Sequence, residues 1–376
     1  MNQFEEIFDK AVLMSGKGRR YNVKHNELTV ILEELKEIGT TIIEDIRIVR
    51  PHFPSVHIDF INDVRFNACA IKQDDMYFIG INIGVVQVLE KLFNYIMSHP
   101  NLMTGIGDVS LEIKKEISSD YIAINHNYLR LFTNYDVEVN APIGKERKLC
   151  AKALYMYALE FLILHEYGHI VNGHMDYDYF RRRSGLSFMF ELNSCEKNGL
   201  FTQTLEMDAD SYAATRITQS IIEDHNRTLA KTEAIGISPM SFKERLKQMC
   251  YSVYFMFRLF GEMSYDLRTL EKNSHPAPGF RQQFLFGVLG SLLITELQES
   301  LITEDELGDM VEEVIRECEQ ALKTISDKTF TPVPISIITT PEGQEHCIKI
   351  MANWKNVKPL IEPYSRAILA PSGYNE

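Results

Sequence analysis

The stretch Ala153-Leu154-Tyr155-Met156-Tyr157-Ala158-Leu159-Glu160-Phe161-Leu162-Ile163-Leu164-His165-Glu166-Tyr167-Gly168-His169-Ile170-Val171-Asn172-Gly173 decides how the rest of the chain is read. Between Ala153 and Leu164 it is apolar on nearly every face, and a helix of that kind has to be buried. The helix is expected to run from about Lys145 to Val171, after Pro142 and Gly144, and to end at Asn172-Gly173. Its last turns hold His165-Glu166-Tyr167-Gly168-His169, an H-E-x-x-H pattern. Residues four apart on a helix share a face, with Cβ atoms about 5–6 Å apart, so two imidazoles at that spacing can converge on one tetrahedral zinc ion. Glu166 then lies one residue round the helix, within reach of a water at the metal that it does not displace. The competing reading is three satisfied polar residues at a helix end. It is disfavoured because two histidines and a glutamate beside so apolar a run are costly to bury without a partner.

A catalytic zinc needs a third protein ligand and an open position. His174 follows closely but stands five residues after His169. The metzincin pattern asks for a glycine three residues on and a histidine six residues on, and here those positions are Asn172 and Met175. His174 is therefore expected in an outer or surface role. The better candidate is Glu206, in Leu205-Glu206-Met207-Asp208-Ala209-Asp210, on a second helix expected from about Gln203 to Asp224. Asp210, four residues later on the same face, is expected to accept the outer ring N–H of a zinc histidine and fix its tautomer. Ala209, Ala213 and Ala214 keep that face slim enough for two helices to approach closely. The competing reading of Glu206 and Asp210 is an exposed acidic face.

Such faces are common in a chain that carries a net charge of −13 over 376 residues. That charge disfavours non-specific nucleic-acid binding, which needs a basic surface. A composition of 45% hydrophobic and 24% charged residues is that of an ordinary folded chain and not of a disordered or collagenous one. Cys69, Cys150, Cys195, Cys250, Cys318 and Cys347 form no C-x-x-C pair, so reduced thiols in a cytosol are expected rather than a disulfide framework. The start, Met1-Asn2-Gln3-Phe4-Glu5-Glu6, has no basic or apolar leader character. The apolar runs Ala153 to Leu164 and Phe284 to Ile294 are too short to span a bilayer. A cytoplasmic location without a membrane span is the expectation, with the oligomeric state left open.

Three segments are expected: 1–50, helical, with an amphipathic run at Leu28 to Ile38; 51–300, carrying the metal site; and 301–376, a helical extension. After Pro51 and Pro54, strands are expected at Val56 to Phe60, Asn67 to Ile71 and Met76 to Ile81, the last two joined by a turn at Gln73-Asp74-Asp75, followed by a helix from Val85 to Met97. Tyr121 to Phe132 reads as a helix, and 174–202 as a long excursion containing Arg181-Arg182-Arg183, a solvated basic face. Further helices are expected in 242–270, 280–300 and 304–325, and a strand at Ile335 to Ile338. The expected class is α+β and zincin-like: mostly helical, with a small antiparallel sheet over the active-site helix.

H-E-x-x-H followed by Glu206-Met207-Asp208-Ala209-Asp210 resembles the gluzincins of the CAAX-prenyl-protease and HtpX type. Asn67-Ala68-Cys69-Ala70, which leads into the strand Met76 to Ile81, resembles that group's N-A-x-A segment before the strand lining the cleft. Ser274-His275-Pro276 with Arg281 resembles its late H-P-x-x-x-x-R element. The chain also resembles phage-exclusion proteases of the Lit type, with a histidine five residues after the motif (here His174), an E-A-D element and a late His-Pro. It departs from the membrane-bound members in having no spanning helix.

The resemblance implies a metalloendopeptidase with one zinc per chain, acting on a protein or peptide. His165, His169 and Glu206 would hold the zinc, with Glu166 as general base. His275 and Arg281 are candidates for stabilising the oxyanion. For these two, a helix-entry His-Pro and a surface arginine are the competing assignments. The substrate is expected to lie beside Met76 to Ile81 as an added strand. The alternative class is a non-catalytic or latent zinc-binding regulatory protein, for example in phage defence or a stress response.

Overall fold

The computed structural model describes residues 3–14, 18–23, 28–112, 141–182, 186–190, 199–232, 240–260, 267–296, 301–325 and 335–372. The expected helix at Tyr121 to Phe132, Cys195 and Arg183 lie outside these residues. Helices α1 (Gln3–Met14) and α2 (Leu28–Val49) come first. Strands β1 (Val56–Ile61), β2 (Ala68–Gln73) and β3 (Met76–Asn82) follow, then α3 (Ile83–Ser98). The apolar segment forms α4 (Lys145–Val171), capped by Gly144 and Asn172, with the bounds its periodicity predicts. Burial along its length is what the all-round apolar pattern demands: α4 packs against α3, against the sheet and against two later helices.

The excursion after α4 is more ordered than its composition suggests. It contains α5 (His174–Arg182) and β4 (Leu186–Phe190) before α6 (Gly199–Thr232) begins. Then come α7 (Phe242–Phe260), α8 (Pro278–Gly290), α9 (Glu304–Ile325) and α10 (Pro341–Ile361). Residues Ile335–Thr339 form a 3-10 turn and not the expected strand. They sit between Pro334 and Pro341, and among the described residues they pair with no strand of the sheet.

The fold is α+β, mostly helical, with the sheet packed on the helix that carries H-E-x-x-H. The strand order is β1-β3-β2-β4. The sheet is mixed and not wholly antiparallel: β2 pairs antiparallel with both β3 and β4, while β1 joins β3 in parallel. β3 is thus interior, which corrects the expectation that a substrate strand pairs with it. Its two faces alternate as a strand's must. Tyr77, Ile79 and Ile81 enter the main core, and Phe78 packs with Phe8, Val12, Cys69 and Ile71 under α1.

The N-terminus of α4 is anchored by Arg147, which is fully buried. Its guanidinium donates to the carbonyls of Met97 at 2.6 Å, Ile106 at 2.7 Å, Met103 and Leu102 at 2.9 Å, and His99 at 3.3 Å. The Glu112 carboxylate accepts from Ile143 N and Gly144 N and stands 3.8 Å from Arg147. One side chain thus gathers carbonyls from the end of α3 and the loop that follows it, of which those of His99 and Met103 also accept backbone N–H bonds. Arg147→Leu leaves those carbonyls and Glu112 without their cation. It is expected to cost roughly 3–5 kcal/mol in a urea unfolding titration, whereas Arg147→Lys, with a smaller donor fan, should recover part of it.

Candidate active site

Helices α4 and α6 cross at Gly168. A Cβ there would stand 3.0 Å from Ala209 Cα and 3.3 Å from Ala209 Cβ, so the motif's glycine and the small residue opposite it set the spacing of the two helices. Ala209, Ala213 and Ala214 are all fully buried along this face. The approach brings Glu206, on α6, against His165 and His169, on α4.

The three side chains converge, with one ligand atom from each lying within 4.8 Å of the others. The two Nε2 atoms are 3.1 Å apart. His165 Nε2 is 3.2 Å from Glu206 Oε2, and His169 Nε2 is 3.6 Å from Glu206 Oε1. Two nitrogens each about 2.0–2.1 Å from one tetrahedral ion lie about 3.3 Å apart, close to the 3.1 Å seen here.

The outer ring nitrogens determine what the inner ones present. His165 Nδ1 lies 2.9 Å from Asp210 Oδ1; a carboxylate only accepts, so Nδ1 carries a proton, and in the neutral ring, the form that binds a metal, Nε2 is the lone pair. His174 Nε2 faces Asp208 Oδ2 at 3.0 Å and donates to it, so in the neutral ring His174 Nδ1 is an acceptor. His169 Nδ1, 2.9 Å from that acceptor, therefore donates, and its Nε2 is a lone pair as well. With neutral rings, two nitrogen lone pairs and a carboxylate converge on one point, which is the arrangement a cation would bridge. The donor set, two imidazoles and a glutamate oxygen, suits a divalent ion of the zinc kind.

The local charge balance points the same way. Glu166, Glu206, Asp208 and Asp210 are buried, and among the described residues the buried guanidinium that pairs with them is that of Arg281. Arg281 donates from Nε to Asp210 Oδ2 at 2.8 Å and from Nη2 to Asp210 Oδ1 at 2.7 Å, and it lies over the Phe257 ring. Arg281 therefore sits on the residue that orients His165, one step removed from the ligand atoms. His275 stands closer. Its Nε2 is 3.5 Å from Glu206 Oε2 and takes no hydrogen bond among the described residues, while its Nδ1 is 2.9 Å from Ser274 Oγ. Glu166 is buried on the same turn as the two candidate ligand histidines.

Sequence reasoning passed over Asp208 and left His174 without a definite task. Asn172 Nδ2 also donates to Asp208, at 2.6 Å. The signal was present: in the run of three acidic residues at alternate positions, Asp208 lies between the two that were singled out. Its use depends on α5 turning back at Gly173, where φ is +85°, and helical periodicity along α6 does not reveal that turn.

Residues 110–283 match the family described as Peptidase U49. The match covers just under half of the chain and takes in His165, Glu166, His169, Glu206, Asp210, His275 and Arg281. It supports a peptidase, and proteases of the Lit type fall in that family. No curated protein and no solved structure matches the chain. Among the described residues, no helix is long and apolar enough to cross a membrane.

If the outer carboxylates fix the ring tautomers, Asp210→Asn and Asp208→Asn should each weaken zinc retention about 10–100-fold in a chelator competition. Asp208→Asn acts through His174, so His174→Ala should reproduce it and the double variant should add little.

Proposed function

We propose that the chain is a zinc-dependent metalloendopeptidase of gluzincin type, with one ion held by His165, His169 and Glu206. The observation that carries the reading is the convergence of two Nε2 lone pairs and a glutamate carboxylate within 4.8 Å, each imidazole tied outward to an acidic group. The match to a peptidase family supports the hydrolytic half of the reading. The resemblance to CAAX-prenyl proteases and HtpX is carried by the same residues.

Bound zinc would supply Lewis acidity, bringing the pKa of a water down towards 7 and polarising the scissile carbonyl. Glu166 takes the proton from the attacking water and passes it to the leaving amine. His275, whose Nε2 is aimed at the site, donates to the developing oxyanion. Arg281 holds Asp210, and Asp210 holds His165, so both act by orienting a ligand. The peptide substrate adds to the sheet at the outer edge of β4, which is unpaired among the described residues and lies beside α5. The outer edge of β1 is taken up in part by residues 19–21, through Tyr21 N to Phe60 O at 2.7 Å and Asn62 N to Arg19 O at 2.8 Å.

One observation favours a second reading of the same site. His165, Glu166, His169 and Glu206 are each at most 2% exposed, and His275 offers a side chain only 12% exposed. A site so closed suits a latent zinc protein, opened by a partner in phage defence or a stress response.

Metal analysis of purified protein is expected to give about one zinc per chain, and Glu206→Ala should lose it. Glu166→Gln should keep the zinc and cut proteolysis by at least about 100-fold, read by comparing cleaved peptides in a proteome digest with wild type. Undiminished cleavage by Glu166→Gln would overturn the mechanism. Zinc binding with no cleavage by wild type would favour the latent reading.

A further inference from the structure

The chain beyond residue 283 lies outside the matched family segment, yet it touches both helices that carry the metal candidates. α10 runs along α6. Asn353 Nδ2 donates to Thr204 Oγ1 at 3.0 Å, two residues before Glu206, and Trp354, Val357 and Ile361 are buried in the main core.

After α10, residues 361–367 pass over the turn that joins α4 to α5. A Cβ on Gly173 would stand 2.6 Å from the Tyr364 carbonyl carbon, 2.7 Å from Ser365 N and 2.9 Å from Ile361 O. Contact with the C-terminal segment is thus a second reason, besides its φ of +85°, for the glycine between Asn172 and His174. Arg366 N donates to Val171 O at 2.7 Å, and Arg366 Nη1 to Ile170 O at 3.2 Å, so the segment takes up carbonyls at the end of α4.

The Arg366 guanidinium then reaches into a buried polar group. It pairs with Asp176 and donates from Nη2 to the Tyr77 hydroxyl at 2.7 Å. Tyr77 donates to Asp176 Oδ1 at 2.6 Å and accepts from Lys72 at 2.9 Å, and Lys72 lies 3.0 Å from Asp176. One side chain therefore links α4, α5 and β3. Burial works to raise the Asp176 carboxyl, but hydrogen bonds from Arg366 and Tyr77 outweigh it and hold the group below its ordinary value. The clamp accordingly contributes stability above the ordinary carboxylate range, and loses it only as the pH falls through the lowered value.

We propose that the segment 361–367 is a brace for the metal site and that Arg366 is its positioning residue, clamping the Val171–His174 turn so that His174 stays on His169. This rests on the zinc reading above. The brace couples a part of the chain outside the family segment to the imidazole relay His169–His174–Asp208. Without the clamp, the α4–α5 turn loses its outer wall and the His169 ring loses its fixed acceptor.

The test uses the full chain, with Arg366→Ala, Arg366→Lys, Tyr77→Phe, and Val314→Ala as a control. Val314 is a buried core residue on α9, a helix that packs chiefly on α7 and α8. Zinc affinity is measured by chelator competition at a temperature where all variants are folded. Hydrogen exchange of a peptide spanning 170–177 is followed in metal-free protein. Arg366→Ala is expected to weaken zinc binding about tenfold or more and to speed exchange of that peptide. Arg366→Lys should restore part of both, and Tyr77→Phe should shift both in the same direction. Val314→Ala should lower the melting temperature and leave both unchanged. Wild-type affinity in Arg366→Ala, or an equal loss in Val314→Ala, would overturn the brace. Wild type that binds no zinc would overturn the zinc reading instead, and the exchange arm would still judge the clamp: unchanged protection in Arg366→Ala would overturn it.

Discussion

Two imidazole lone pairs held 3.1 Å apart against a glutamate carboxylate form an arrangement that a protein interior resists. Each group has given up water, and with both rings neutral and their protons on the outer nitrogens the three face one another as acceptors. Much of the surrounding structure is what holds them there. Asp210 and the His174–Asp208 pair draw the ring protons to the outer nitrogens, Arg281 fixes Asp210, and the contact of Gly168 with Ala209 sets the distance between the two helices. A divalent cation would turn the same arrangement from strained to favourable, because its charge would offset the buried carboxylates around it, which among the described residues face the guanidinium of Arg281.

The two histidines are supported unequally. His165 reaches its carboxylate directly, and that carboxylate is gripped by a bidentate arginine. His169 reaches its own through a second imidazole, whose position depends on a left-handed glycine and on whatever packs over that glycine. The longer chain of contacts has more places to be perturbed. It is also the one in contact with the C-terminal segment, which makes the α4–α5 turn a mechanical link between the end of the chain and the metal candidates.

The sheet contributes in a different way. β2 and β3 pack on α4 and carry Lys72 and Tyr77 into the polar group beneath α5. Because β1 enters in parallel on one side of β3 and the β2 hairpin closes the other, the backbone groups of β3 are committed within the sheet. A binding edge has to be sought at the rim, where β4 is laid down by a segment that reads as an irregular excursion.

Much of this was legible along the chain because it is local. The bounds of α4 follow from an apolar run between a capping glycine and Asn172-Gly173. The common face of His165 and His169, and that of Glu206 and Asp210, follow from 3.6 residues per turn. The first three strands follow from alternation and turn residues. Each of these depends on neighbours within a few positions, which is where backbone periodicity acts. What only the tertiary structure decided depends on partners far away in sequence. β4 exists by pairing with β2, more than a hundred residues earlier, and its five residues have no periodicity long enough to announce a strand. Asp208 acquires its role from His174 on another helix, Arg281 from Asp210, and Arg366 from a turn nearly two hundred residues before it. Side chains of that kind are placed by packing and charge pairing, and a sequence shows the groups available without showing which of them will meet.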